Sequence, residues 1–220
     1  VSCVHFAIIN LQIHLSTHLC LYTYTFTKGR HDLNLLYEML EFNRNFVEEK
    51  GYEPYQTSKY PDKRAVILTC MDTRLLELLP AALNIQNGDV KIIKNAGAII
   101  SHPFGSIMRS ILVAVYELQA EEVFVIGHHD CGMSQIQSNH VIEKMKDRGI
   151  KEEIISTLMN SGINIKSWLK GFASAEENVR NSVNIIKNHP LMAENIPVHG
   201  LIINPETGKL DLIIDGYKNI

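Results

Sequence analysis

The sequence contains neither of the glycine-rich motifs by which many α/β proteins bind nucleotides. No G-x-G-x-x-G follows an apolar run that could form a strand, and no G-x-x-x-x-G-K-[ST] is present. An internal repeat and a low-complexity tract are also lacking. These absences argue against a nucleotide-binding protein of the common kinds and against a repeat protein.

The sequence has no large excess of positive or negative charge, and it has few cysteines. The net charge of −3 and the pI near 6.4 give no electrostatic reason to expect a nucleic-acid partner. Four cysteines in 220 residues do not make a disulfide framework. A composition of 45% hydrophobic and 20% charged residues is typical of a globular protein, and the length suits one domain with a small appendage.

The first 27 residues lack Lys, Arg, Asp and Glu altogether. With no basic residue before Lys28, and with polar residues interrupting the apolar stretch, they match neither a signal peptide nor a membrane helix. We therefore expect no membrane association. His14, His18 and Cys20 could share one helix face, which leaves a second metal site conceivable. Residues 1–30 are predicted to be an atypical, poorly ordered extension, and residues 31–220 the functional domain.

Apolar, β-branched runs alternate with segments of helical spacing. After a helix capped by Asp32, this alternation predicts an α/β fold with helices on both sides of a mainly parallel sheet. Four parallel strands and an antiparallel edge strand are expected. The predicted strands are residues 64–69, 90–94, 122–127, 198–203 and 209–215.

Two short motifs come just after the first and third runs. Cys70-Met71-Asp72-Thr73-Arg74 and His128-His129-Asp130-Cys131-Gly132 would lie past the carboxyl ends of strands, where open α/β sheets place ligand sites. The thiols of Cys70 and Cys131 and the imidazole of His128 form a ligand set typical of zinc, with a fourth position open for water or substrate. The alternative is two buried core cysteines and a hydrogen-bonded histidine. Thiolate ligands suit a reducing cytoplasm, which is the predicted location.

With Asn95-Ala96-Gly97-Ala98 between them, the two motifs resemble those of the β-class carbonic anhydrases in order and in strand context. The resemblance extends from about Asn34 to the C-terminus. It implies a carbonic anhydrase, a zinc lyase with one Zn²⁺ per chain in residues 31–220. The implied reaction is the reversible hydration of carbon dioxide to bicarbonate and a proton by a zinc-bound hydroxide. It also implies a homodimer or higher homo-oligomer with the active-site cleft at the subunit interface.

Asp72 and Arg74 are the predicted catalytic pair. Positions two apart in an extended segment point the same way, so both side chains could converge with Cys70. Arg74 can clamp the Asp72 carboxylate and keep it ionised, and Asp72 can then orient the hydroxide. The alternative is a surface ion pair of little energetic consequence.

Five further residues are candidates for the substrate pocket or for contacts around the metal ligands. By resemblance, Asn95 and Gly97 belong to a loop that lines the active site. His129 is a candidate proton relay. Asp130 either orients a ligand or caps the following helix, and Gly132 leaves room beside the metal.

Three other functions compete with carbon dioxide hydration. Related enzymes of this type hydrolyse carbonyl sulfide or carbon disulfide at the same kind of site. A non-catalytic zinc-binding module would use Asp72 as a permanent fourth ligand. A redox protein is disfavoured, because no C-x-x-C is present and redox chemistry does not need the Asp72–Arg74 pair.

Overall fold

The computed structural model describes residues 34–219, and the chain divides after Glu53 into two units that we describe separately. In the first unit, helix α1 spans Leu35–Glu48. Its N-cap is Asn34, whose side chain accepts a hydrogen bond from the Leu36 N–H at 3.1 Å, so the predicted cap at Asp32 is two residues too early. The predictions for residues 1–30, including the second metal site, lie outside the described residues, and the domain division stays a prediction.

The second unit is built on a five-stranded sheet with the order β2-β1-β3-β4-β5. β1 pairs in parallel with β2 and β3, β3 pairs in parallel with β4, and β5 runs antiparallel to β4 at the edge. All six residues of β1 are buried, as expected for an apolar run in a strand with neighbours on both sides. The predicted fold class is confirmed. The strands are β1 Ala65–Cys70, β2 Val90–Asn95, β3 Glu122–His128, β4 Val198–Ile203 and β5 Leu210–Ile214.

Six α-helices lie in this second unit. Ser174 caps the last of them, as its position before two glutamates predicts, and its side chain accepts from the Glu177 N–H at 3.1 Å. Gly149 and Gly162 have positive φ values of 95° and 91° and separate successive helices. None of the helices described here is both long and apolar enough to cross a membrane. The helices are α2 Leu75–Ala82, α3 Ser106–Tyr116, α4 Ser138–Asp147, α5 Glu152–Asn160, α6 Ile165–Trp168 and α7 Ala175–Lys187.

The helices bury both faces of the sheet. Val66 and Leu68 of β1 belong to the core cluster that α3 and α7 cover, whereas Ile67 belongs to a second cluster with Leu75 and Leu79 of α2. This alternation follows from the two-residue period of a strand. Because β1 and β3 are parallel neighbours, their carboxyl ends meet at one edge of the sheet, next to the second cluster.

Candidate metal centre

Three potential metal ligands converge at this edge. Cys70 and His128 are the last residues of β1 and β3, rather than residues just past the strands as predicted, and Cys131 follows three positions after His128. The three side chains are buried, and one ligand atom from each lies within 4.8 Å of the others. The Sγ atoms of Cys70 and Cys131 are 3.9 Å apart.

The imidazole of His128 has one nitrogen paired and the other without a partner. Nδ1 lies 2.8 Å from the carbonyl oxygen of His129 and donates its proton there. Nε2 is buried and has no hydrogen-bond partner among the described residues. A backbone carbonyl on Nδ1 is a common way to present the Nε2 lone pair to a metal ion.

This arrangement fits a tetrahedral metal ion. Two sulfurs bound to one zinc ion at about 2.3 Å each would lie about 3.8 Å apart, close to the observed separation of the Cys70 and Cys131 sulfurs. The unpartnered Nε2 of His128 faces the same point, and a metal would satisfy this buried acceptor. Three protein ligands of this kind leave one coordination position for water or substrate.

The two thiols differ in how readily they ionise in the metal-free protein. Hydrogen bonding from Cys131 lowers the pKa of Cys70 to about 4, with help from the N–H of Gly97. The same contact raises the pKa of Cys131 well above its usual range, and burial raises it further. Burial lowers the pKa of His128, but the Cys70 sulfur and the His129 carbonyl outweigh it and leave that pKa raised. Cys70 is therefore the thiol of the pair that loses its proton more readily.

Beside the ligands, Arg74 binds the carboxylate of Asp72 through two parallel hydrogen bonds. Arg74 Nε lies 3.0 Å from Oδ1 and Nη2 lies 2.9 Å from Oδ2, while the Arg74 backbone N–H donates to Oδ1 at 2.9 Å. These bonds lower the pKa of Asp72 to about 2. Oδ2 of Asp72 lies 3.7 Å from Nε2 of His128, which places an ionised carboxylate next to the metal-binding atoms.

Comparison with known proteins agrees with this geometry. A sequence model of the carbonic anhydrase family matches residues 65–210, about two thirds of the chain. The chain belongs to the β-class carbonic anhydrase family. The predicted enzyme class is thereby confirmed. The matched residues include both motifs, and with them the cluster of Cys70, His128 and Cys131 that could hold a metal ion.

Individual relatives span most of the described chain. YtiB of Bacillus subtilis, named as a carbonic anhydrase by inference, is 64% identical over 187 residues, 85% of this chain and all of that protein. Carbon disulfide hydrolase of Saccharolobus solfataricus is 30% identical over 68% of this chain and 76% of that enzyme. The crystal structure of β-carbonic anhydrase isoform I from Trichomonas vaginalis covers 84% of this chain and 100% of that chain, with 35% identity and a TM-score of 0.77.

Asp130 and His129 take different positions around this β-carbonic anhydrase site. Asp130 Oδ2 accepts from Arg74 Nη1 at 3.3 Å and the Asp130 carbonyl accepts from Nη2 at 3.1 Å, so Asp130 helps to hold Arg74. His129 is half-exposed, and its Nε2 lies 3.5 Å from Oδ2 of Asp211 on β5. The relay role of His129 stays a prediction.

The loop from Asn95 to Ile99 borders the three candidate ligands. Its role in lining an active site, which the family resemblance implies, stays a prediction. The Asn95 side chain closes this loop, because it donates to the Ile99 carbonyl at 2.7 Å and accepts from the Ile99 N–H at 3.1 Å. The N–H of Gly97 donates to Sγ of Cys70 at 3.3 Å. A Cβ at Gly132 would meet no protein atom within 4 Å. The role of Gly132 in leaving room beside the metal stays a prediction.

Two residues that the sequence analysis did not single out contact this loop from α7. Asn178 donates to the Gly97 carbonyl at 2.8 Å, and Ser182 donates to the Ala98 carbonyl at 3.2 Å. Both side chains are buried. One feature of the sequence could have identified them. The two polar residues are four positions apart and adjoin the inward-facing Val179 and Val183, whereas the other polar residues of this helix lie on its outer face.

Proposed function

We propose that this chain catalyses the reversible hydration of carbon dioxide to bicarbonate and a proton, with one Zn²⁺ held by Cys70, His128 and Cys131. The observation that carries the proposal is the convergence of these three ligand atoms beside an ionised Asp72. When bound, zinc would make water a nucleophile near neutral pH, an effect for which carbonic anhydrase is itself the standard example.

Asp72 would orient the water that attacks the substrate. Its carboxylate stays ionised because Arg74 donates to both oxygens, so Asp72 can only accept hydrogen bonds. Oδ2, on the side facing His128, retains acceptor capacity beyond its bond to Arg74. A hydrogen bond from the water to this oxygen would turn a water lone pair toward the carbon atom of carbon dioxide. Asp130 would keep Arg74, and through it Asp72, in place.

Hydrolysis of carbon disulfide or carbonyl sulfide at the same site is the second candidate function. It is supported by three relatives named carbon disulfide hydrolase, which are 27%, 30% and 29% identical over 68% of the chain. All of these substrates present an electrophilic carbon, so one oriented water would serve each of them. The greater identity to the Bacillus subtilis relative, 64%, favours carbon dioxide.

The decisive experiment is stopped-flow hydration of carbon dioxide as a function of pH, on protein whose zinc content has been measured. Asp72→Asn removes the acceptor-only carboxylate and should abolish most of the activity at unchanged zinc content. Asp147→Asn is the matched control, because Asp147 is exposed at the end of α4. Full zinc without carbon dioxide hydration at any pH would refute the first function, and release of hydrogen sulfide from carbon disulfide would then establish the second.

We also propose that the chain forms a homodimer or a higher homo-oligomer and works in the cytoplasm. The oligomer is supported by α1, whose large apolar residues Leu36, Met39 and Leu40 are not covered by the described residues of its own unit. Light scattering should give a molar mass of at least twice 24.9 kDa. The location is supported by the free thiols of Cys70 and Cys131, and cell fractionation would test it.

A further inference from the structure

The loop that donates a hydrogen bond to Cys70 has an unfavourable backbone conformation. Gly97 has φ = 81° and Ala98, which is not a glycine, has φ = 55°. Left-handed conformations at non-glycine residues persist only where surrounding contacts hold them, and they concentrate at functional sites. The contacts that hold this turn are therefore candidates for a role in the metal centre.

Helix α7 supplies those contacts with two buried polar side chains. Asn178 donates to the carbonyl of Gly97 at 2.8 Å. Ser182 donates to the carbonyl of Ala98 at 3.2 Å and accepts from the N–H of Ile100 at 3.4 Å. Asn178 thus holds the peptide group that follows Gly97. The N–H of Gly97, which belongs to the preceding peptide group, donates to Sγ of Cys70 at 3.3 Å.

On the basis of the zinc site proposed above, we infer that Asn178 is a positioning residue of the metal centre. Its hydrogen bond to the Gly97 carbonyl orients the Gly97 N–H toward the Cys70 sulfur. An N–H donor draws electron density from a ligating thiolate and fixes its direction, so it adjusts both the affinity for the metal and the charge that the thiolate gives to it. Asn178 lies 81 positions from Gly97 in the sequence, and its side-chain N–H₂ group is engaged by the Gly97 carbonyl.

Metal affinity and the electronic state of the thiolate test this role. Asn178→Leu keeps the number and branching of the side-chain heavy atoms but removes the donor, and we expect the zinc affinity to fall roughly 10- to 100-fold in competition with a chromogenic chelator. Asn181→Leu on the exposed face of α7 is the matched control and should bind zinc like the parent. In the cobalt-substituted proteins, the sulfur-to-cobalt charge-transfer band should move to lower energy only in the Asn178 variant, because its thiolate is more electron-rich.

A direct test uses the protein with ¹¹³Cd bound in place of zinc. A scalar coupling between ¹¹³Cd and the Gly97 amide proton, transmitted through the Cys70 sulfur, should be present in the parent and lost in Asn178→Leu. Unchanged zinc affinity and an unchanged cobalt band in a folded variant would overturn the inference. So would failure of both Asn178→Leu and Asn178→Ser to fold while Asn181→Leu folds, since Asn178 would then serve the fold. A parent that binds no zinc, cobalt or cadmium would instead refute the proposed function.

Discussion

Arg74 holds both carboxylate oxygens of Asp72, with Nε 3.0 Å from Oδ1 and Nη2 2.9 Å from Oδ2. Only a planar guanidinium can make these two parallel bonds. The Asp72 carboxylate, 3.7 Å from Nε2 of His128, therefore has one orientation, and this orientation depends on an arginine rather than on positive charge alone.

Arg74→Lys should consequently impair catalysis while it preserves charge. Lysine can pair with Asp72 but cannot hold both oxygens, so the carboxylate can rotate away from the attacking water. We expect kcat for carbon dioxide hydration to fall about 100-fold at unchanged zinc content. Stopped-flow assays on zinc-quantified protein would measure this, with Arg148→Lys, an exposed substitution after α4, as the control. Wild-type turnover in Arg74→Lys would show that the bidentate pairing is dispensable.

Zinc binding should release protons and strengthen as pH rises. In the metal-free protein the pKa of Cys70 is lowered, whereas the pKa values of Cys131 and His128 are raised. Zinc must displace the proton of Cys131 and, toward acid pH, that of His128. Each proton released raises the apparent zinc affinity about tenfold per pH unit.

Calorimetric zinc titrations in buffers with different ionisation enthalpies would count these protons between about pH 6 and about pH 8. Cys131→Ser removes the thiol that holds its proton most tightly, so its zinc binding should be weaker and should depend less on pH. An affinity that does not change with pH in the parent would contradict the ionisation states assigned to the pair.

Gly97→Ala should destabilise the protein more than the same substitution at Gly149, a glycine that is also left-handed. A Cβ at Gly97 would lie 2.8 Å from Cε1 of Phe172 and 3.0 Å from Cγ of Met133, in addition to the strain of φ = 81°. Gly149 has φ = 95° with nothing within 4 Å, so Gly149→Ala reports strain alone. We expect a loss of about 1–2 kcal/mol in the free energy of unfolding for Gly149→Ala, and about 2–5 kcal/mol for Gly97→Ala.

Urea unfolding of the two alanine variants would measure these losses, and zinc competition would show whether only Gly97→Ala also weakens metal binding. Equal losses for the two variants would mean that Phe172 and Met133 move aside without cost.

The ion pair between Lys63 and Asp89 should contribute stability that disappears in acid. Lys63 Nζ lies 2.5 Å from Oδ2 of Asp89, and this hydrogen bond, with one from the Gln86 N–H, lowers the pKa of Asp89. Because the pKa is lower in the folded state, the stabilisation is complete above the unfolded pKa of about 3.9. It is lost as the pH falls through the folded value.

Asp89→Asn should therefore lower the free energy of unfolding at neutral pH, and its difference from the parent should shrink as the pH falls below about 4. Denaturant unfolding across this range would measure the difference, with Asp147→Asn as the control. A difference that persists undiminished in acid would assign the effect of Asp89 to something other than its charge.

Local patterns in the sequence were sufficient to predict the strands and to predict that Cys70, His128 and Cys131 lie together. A β-branched apolar run predicts a buried strand whichever strands become its neighbours in the sheet. The residues at the end of that strand can therefore be named before the fold is known. Cys70 and His128 were predicted on this basis, because the carboxyl ends of parallel strands meet at one edge. The pairing of Asp72 with Arg74 was equally local, since the two residues are two positions apart.

The boundaries of helices and strands, and the residues that cap helices, were harder to predict from the sequence. Several residues near the start of α1 can cap a helix, and the cap proves to be Asn34 rather than Asp32. Asp130 had two possible roles from its sequence position, as a helix cap or as an orienting residue. Its carboxylate and carbonyl both contact Arg74, 56 positions earlier, a contact that depends on the pairing of β1 with β3.

The sequence by itself determined the strands, the motif residues at their ends and the family, because these depend on short-range periodicity and on residue identity. Only the tertiary structure decided which backbone and side-chain groups surround Cys70. The contact of Asn178 with Gly97 requires α7 to pack across the sheet at one rotation and one height, and both are set by the burial of Val179 and Val183 in the shared core. Packing of that kind sums many long-range contacts, and no short segment of the sequence contains it.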